Sequence, residues 1–273
     1  MKNRRLTINI VGGTGIMGKV HKQIFEKAGH KVLLTGRKTK LTPKKAAKIS
    51  DVTIISVPIK VTKRTIKKIA PYCKAIMDFT SLKEEPLKTM LKYSNPNAEV
   101  AGLHPLYGEV KSIKGRTIIL CKTRRTGKIC LEVINALKKA GAEITSMGAR
   151  EHDTIINNIL QNARIQMLEA YGLILSKAGI DFDLAYRLST PQTKIILDVL
   201  SRLVDEKSDD LYAEMRKANK SNKAMIKDLI RSLIKTEKNP KQTREKIRAL
   251  FGKNLVKAQE RVKKIIDLQT KDY

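Results

Sequence analysis

Three short stretches carry residue types that could do chemistry together. "GLHPLYG" (102–108) sets His104, one of four histidines in the chain, between apolar residues and a proline. "DFTSLKEEPL" (78–87) offers Thr80, Ser81 and Lys83, and "IVGGTGIMG" (10–18) has glycines at 13, 15 and 18. Polar groups at successive strand ends beside a nucleotide loop point to a ligand site. The G-x-G-x-x-G spacing is that of a dinucleotide loop. Gly13 allows the tight turn, Gly15 lets the backbone approach a pyrophosphate, and Gly18 lets helix and strand pack closely. The helix start running through Thr14, Ile16 and Met17 offers free N–H groups to the anion.

The end of the second strand bears on which dinucleotide is held. An NAD site usually has Asp or Glu there for the ribose 2′-hydroxyl. Here the strand ends in "LLTGRKTK", and no carboxylate occurs from Gly29 through Ser50. Thr35, Arg37 and Lys38 stand where the acid would be. A hydroxyl and a guanidinium suit a 2′-phosphate, so NADP is expected ahead of NAD. "SVPIKVT" (56–62) places Val57 and Pro58 after a buried strand, where they would form a wall beside the cofactor.

These residues need a scaffold that brings strand ends together. Up to about residue 149 short β-rich runs alternate with amphipathic stretches. The runs are 6–12, 31–36, 52–58, 75–79, 99–104, 117–122 and 142–147. Such alternation predicts an α/β, Rossmann-type, doubly wound and mostly parallel sheet, with ligands gathering at the carboxyl ends of its strands. Residues 150–273 read as all-helical. One long helix should close at Gly179, with others over 190–205, 209–236 and 241–268. Their broad apolar faces predict a domain for substrate binding and dimerisation, and hence a homodimer.

Composition narrows the function classes. Lys and Arg outnumber Asp and Glu by 56 to 26, a net charge of +30. The basic residues are spread along the chain, aromatics are 4% and Trp is absent, so no base-stacking platform emerges. A solvated basic surface that steers small anions is expected, not a nucleic-acid site. Three cysteines without C-x-x-C spacing, and histidines without H-x-x-x-H, predict no metal centre and a reducing compartment. No apolar run reaches the roughly 18 residues of a membrane span. A soluble, cytoplasmic protein is expected.

The motifs "VGGTGIMG", "SVPI", "DFTSLK", "GLHPLYG" and "EHD" (151–153) resemble, in order and spacing, those of prephenate dehydrogenases, above all the dehydrogenase part of the T-protein type. The likeness continues through "AYG" (170–172), "LSTP" (188–191), "RLVDEKSDDLYAEM" (202–215) and "SN" (221–222). The fused chorismate mutase of that type is not expected, because few residues precede the first strand. The resemblance implies oxidative decarboxylation of prephenate to 4-hydroxyphenylpyruvate with hydride transfer to NAD(P), a step towards tyrosine. It makes His104 the catalytic histidine and Ser81 the serine that orients both imidazole and nicotinamide. Arg202 becomes the arginine that pairs with a substrate carboxylate, with Lys83 as a second cation. The family's histidine in the first helix of the second domain has no counterpart after His152. Gln161 and Arg164, three residues apart, are the polar candidates there. His152 reads as structural, fixing the interdomain connection, and His21 and His30 as helix-surface and turn residues. Rival readings are arogenate dehydrogenase, a deazaflavin-type reductase and a non-catalytic nucleotide-sensing or nucleic-acid-binding protein.

Overall fold

The computed structural model describes residues 4–204 and 222–269. The part of the expected 209–236 helix before Asn222, most of the 202–215 motif and Ser221 lie outside the described residues. By its internal contacts the chain divides into two compact units, Met1–Asn157 and Asn158–Tyr273.

All seven expected strands form, in one sheet of order β2-β1-β3-β4-β5-β6-β7. They are β1 (Thr7–Val11), β2 (Lys31–Thr35), β3 (Val52–Ile55), β4 (Ala75–Asp78), β5 (Glu99–Pro105), β6 (Thr117–Lys122) and β7 (Glu143–Ser146). Helices α1 (Ile16–Lys27), α2 (Pro43–Ile49), α3 (Ile59–Ile69) and α4 (Glu84–Tyr93) supply the crossovers that keep β1 to β5 parallel. Between β5 and β6 the chain makes only a loop, so β6 runs antiparallel to β5. Helix α5 (Lys128–Lys139) then restores a parallel pairing for β7.

Side-chain alternation along the strands divides the core between the two faces. Ile8, Ile10, Ile54 and Met77 pack with Phe25 of α1 and with Val133 and Leu137 of α5. Val11, Ile55 and Ile76 pack with Ile66 and Ile69 of α3 and with Met90 of α4. Both faces are therefore covered, which the near-continuous apolar strands require. The doubly wound sheet brings the ends of β1, β3, β4 and β5 to one edge in adjacent positions, and four of the sequence motifs lie at those ends.

The helical stretch after residue 148 runs in three segments with two kinds of winding. A short α6 (Ala149–His152) leads into a π-helical segment, Asp153–Ala163, and then into α7 (Arg164–Lys177). The single long helix expected from the apolar spacing is thus interrupted, although it closes as expected at Gly179, whose φ is +67°. The second unit continues with α8 (Phe182–Arg187), α9 (Pro191–Ser201), α10 (Asn222–Lys238), α11 (Pro240–Phe251) and α12 (Leu255–Gln269). Helix α9 packs against α7, α8 and α12. The helix expected over 241–268 is broken at Gly252, with φ +49°. No described helix is long and apolar enough to cross a membrane.

Candidate active site

The glycine loop is held by backbone geometry. Gly12, with φ +82°, is the residue that needs the left-handed region, one position ahead of the glycine the motif nominates. The N–H groups of Gly12 and Gly13 both donate to the Thr35 carbonyl, at 2.7 and 3.3 Å, tying the loop to β2. A Cβ on Gly13 would meet the Ile10 carbonyl and Leu34, each at 2.7 Å, and one on Gly18 would run into the Gly13 backbone. Gly15 is different: it is exposed, and its nearest neighbour would be the Gly12 carbonyl at 3.4 Å. Open space therefore lies beside Gly15, which also N-caps α1. The helix start has no side-chain cap and no acidic residue in its first turn, so its positive end is left for an anion. Thr14 and Ile16 are exposed beside it and Met17 is half-buried. This cradle fits a dinucleotide pyrophosphate.

At the end of β2 the expected residues separate. Thr35 is fully buried, and its hydroxyl donates to Asn9 Oδ1 at 2.7 Å. Its side chain is committed to the sheet interior, so it anchors the loop through its carbonyl and does not present a hydroxyl to a ribose phosphate. Arg37 and Lys38 are exposed just beyond it. The turn they occupy is fastened by Thr39, whose hydroxyl accepts from the Gly36 N–H at 3.0 Å. At the end of β3, half-buried Val57 lies against Gly12, and exposed Pro58 starts α3.

His104 lies near the end of β5 and is 5% exposed. Its Nδ1 is 2.8 Å from Nε2 of His152, and Nδ1 of His152 is 2.8 Å from Oδ1 of Asp153. Among the described residues the hydrogen bond to this ring comes from His152, and none is found from Ser81, the orienting residue that the resemblance implied. Burial, reinforced by the Lys83 ammonium and by His152, holds the His104 imidazole well below the ordinary histidine value. The Asp153 carboxylate also accepts the N–H groups of Lys83 and Glu84, both at 2.9 Å, and so caps the start of α4. Burial opposes its charge, but the hydrogen bonds from His152, Glu84 and Lys83 outweigh that and hold its carboxyl below the usual value. Asn157 joins this cluster to the β4–α4 loop, donating to Asp153 at 3.1 Å and to the Ser81 carbonyl at 2.9 Å. The half-buried Ser81 hydroxyl makes no hydrogen bond among the described residues.

Lys83 is not the substrate cation expected of it. It is 0% exposed, its ammonium pairs with the equally buried Asp78, and it donates to the Leu103 carbonyl at 2.7 Å. Asp78 also accepts from the Thr80 N–H, at 3.1 Å, and from the Thr80 hydroxyl. Burial pushes the Asp78 carboxyl up, against the pull of Lys83 and Thr80. The bond to the Leu103 carbonyl braces the strand that carries His104, and the ammonium helps keep the imidazole neutral.

His21 is likewise no surface residue. It is fully buried, with Nδ1 2.8 Å from the Met17 carbonyl and Nε2 3.1 Å from the Tyr107 hydroxyl. Burial pulls its pKa down to about 4. This contact fastens the loop after His104 to the helix that carries the glycine cradle. A signal was available: His21 falls four residues before Phe25, on the apolar face of α1. His30 is also buried, its Nδ1 accepting the Leu6 N–H at 3.2 Å.

The candidates in the second unit are Gln161, half-buried near the end of the π-helical segment, Arg164, exposed at the start of α7, and Arg202, exposed at the end of α9. A three-residue spacing puts side chains on one face in α winding. The i→i+5 bonding around Gln161 alters its angle to Arg164.

Residues 13–146, most of the first unit, match the family described as "Prephenate dehydrogenase, nucleotide-binding domain". This stretch is a nucleotide-binding domain of the prephenate dehydrogenase family. A probable arogenate/prephenate dehydrogenase of Methanocaldococcus jannaschii is 30% identical over 80% of this chain and 53% of its own length. The T-protein of Haemophilus influenzae is 31% identical over 81% of this chain and 59% of its own. The chain thus spans little more than half the length of these curated relatives. Among solved structures, prephenate dehydrogenase from A. aeolicus, in complex with hydroxyphenyl propionate and NAD+, has the same fold. Its TM-score is 0.61 at 16% identity, over 96% of this chain and 98% of that one.

Proposed function

We propose that the chain catalyses the oxidative decarboxylation of prephenate with NAD(P), with NADP ahead of NAD. The observation that carries this reading is a buried imidazole, kept neutral by its surroundings, on a strand end whose following loop is bonded to the glycine-cradle helix. Gly13, Gly15 and Gly18 would hold the pyrophosphate, Arg37 and Lys38 a 2′-phosphate, and Val57 and Pro58 would line the cofactor side. When bound, the nicotinamide supplies the hydride acceptor.

The rest follows from the chain's own groups. As hydride leaves the ring carbon bearing the hydroxyl, Nε2 of His104 accepts the hydroxyl proton, stabilising the developing carbonyl. Carbon dioxide then departs and its bonding electron pair makes the ring aromatic. The resulting phenolate oxygen takes the proton back from His104, which returns to its neutral form. Ser81 would orient the nicotinamide end. Arg202, with Gln161 and Arg164, would hold the substrate carboxylates. The net charge of +30 favours encounter with a dianion.

Arogenate, with an amino group where prephenate has a keto group, would use the same chemistry and is the second reading. The arogenate/prephenate name of the Methanocaldococcus jannaschii relative supports keeping it. Turnover of prephenate and of arogenate, each with NAD and with NADP, is the test, and activity on arogenate alone would replace the substrate assignment. In the prephenate assay His104→Asn loses about 10²-fold or more in kcat while cofactor binding is retained. The second unit leaves Leu233, Ile234, Leu250, Val256 and Ile265 exposed on α10 to α12, a surface that a second copy of the chain would cover. A homodimer mass in solution is expected, and a monomer at micromolar concentration would count against it.

A further inference from the structure

We propose that His152 is a positioning residue which, with Asp153, fixes His104 in the tautomer that leaves its Nε2 free to accept a proton. The inference rests on the proposed role of His104 and adds a residue to it. Asp153 is an acceptor-only carboxylate, already receiving N–H groups from Lys83, Glu84 and Asn157. Nδ1 of His152, at 2.8 Å, can meet it only as a donor. Where His152 is neutral, its Nε2 carries a lone pair. That lone pair lies 2.8 Å from Nδ1 of His104, which must therefore carry the hydrogen. The remaining ring nitrogen, Nε2 of His104, is left as an acceptor, the polarity that abstraction of a hydroxyl proton requires. Reversing either bond would turn Nε2 into a donor and disable the step.

The arrangement is well fixed. His152 is 0% exposed and the two rings meet edge to face with centroids 5.0 Å apart. Asp153 is anchored to the start of α4, and Asn157 ties it to the Ser81 carbonyl. When His104 takes the proton, its new positive charge lies at the head of a hydrogen-bonded chain ending in a carboxylate. That charge is stabilised without a carboxylate touching the substrate.

The chain has only four histidines, so their ring nitrogens can be assigned in 15N-histidine-labelled protein. In the full-length, substrate-free protein His104 is expected as the Nδ1–H tautomer, and in His152→Leu that signature is lost. With prephenate and cofactor, His152→Leu should lower kcat by about 10²-fold with KM nearly unchanged. His152→Gln, whose amide oxygen can stand in for the Nε2 acceptor, should recover kcat to within about tenfold of wild type. A wild-type His104 protonated at Nε2, or a His152→Leu variant with unchanged tautomer and kcat, would overturn the proposal. An Nδ1–H tautomer in a chain that turns over neither prephenate nor arogenate would leave the relay standing and refute the proposed function instead.

Discussion

Replacing Lys83 with methionine separates two roles that a lysine at this position could have. Lys83 and Asp78 are both 0% exposed and pair with each other, so removing the ammonium strands a carboxylate in the interior. Breaking one side of a buried pair costs about 3–5 kcal/mol, roughly two to four decades in the folding equilibrium. Met keeps the length and apolar bulk of the side chain, so little of that loss comes from packing. Without the lysine, the Asp78 carboxyl rises further above its unfolded value. A group with a raised folded pKa stabilises most below its unfolded pKa, about 3.9, and loses that contribution as pH climbs through the folded value. The deficit of Lys83→Met should therefore be small near pH 4 and deepen towards neutrality. Urea unfolding followed by far-ultraviolet circular dichroism suits a chain with no Trp. Adding Asp78→Asn removes the stranded charge and should recover most of the loss. Substrate KM should change little, because the ammonium has no exposed surface. A variant within about 1 kcal/mol of wild type but with KM raised tenfold would refute the argument and return Lys83 to the substrate.

Arg37→Ser should raise KM for NADP about tenfold, the scale of one lost charge-assisted hydrogen bond, and leave NAD unaffected. Equal effects on both cofactors would remove Arg37 from the 2′-phosphate. Gly18→Ala forces a Cβ into the Gly13 backbone, so the cradle must open. A stability loss of about 1–3 kcal/mol with weakened dinucleotide binding is expected, read by thermal melting and cofactor titration. The His21 pKa of about 4 means that folding favours its neutral form. Its contribution is complete above about pH 6.5 and is lost as pH falls through 4, up to about 3 kcal/mol. His21→Phe should flatten the acid limb of the stability profile over that window, and an unchanged slope would count against burial as the cause.

The strands were legible because each is a short apolar run bounded by glycine, proline or charge, and the alternation with helices leaves few ways to pair them. The cradle was legible for the same local reason, since loop and helix start are contiguous. The left-handed residue was misjudged by one place, because spacing does not say which of two adjacent glycines turns. His104 could be read from its strand end, but its partner could not, since His152 is 48 residues away along the chain. Lys83 misled for a related reason. Lysine is abundant on this surface, and its burial depends on Asp78 and on a carbonyl at Leu103 that only the sheet brings near. The π winding of 153–163 escapes any count of apolar spacing, because i, i+3 and i+4 repeats assume the α period.

Asp153 accepts the first N–H groups of α4 and also carries the far end of the hydrogen-bonded pair behind His104. Evolution therefore cannot adjust the two properties independently at this site. A change that retunes the imidazole also loosens the helix, because a Ser or Thr offers one hydroxyl oxygen where Asp153 uses both of its own on the Lys83 and Glu84 N–H groups. Drift at residue 153 is confined by fold and chemistry at once. A laboratory screen for thermal stability alone, blind to turnover, should still return the aspartate.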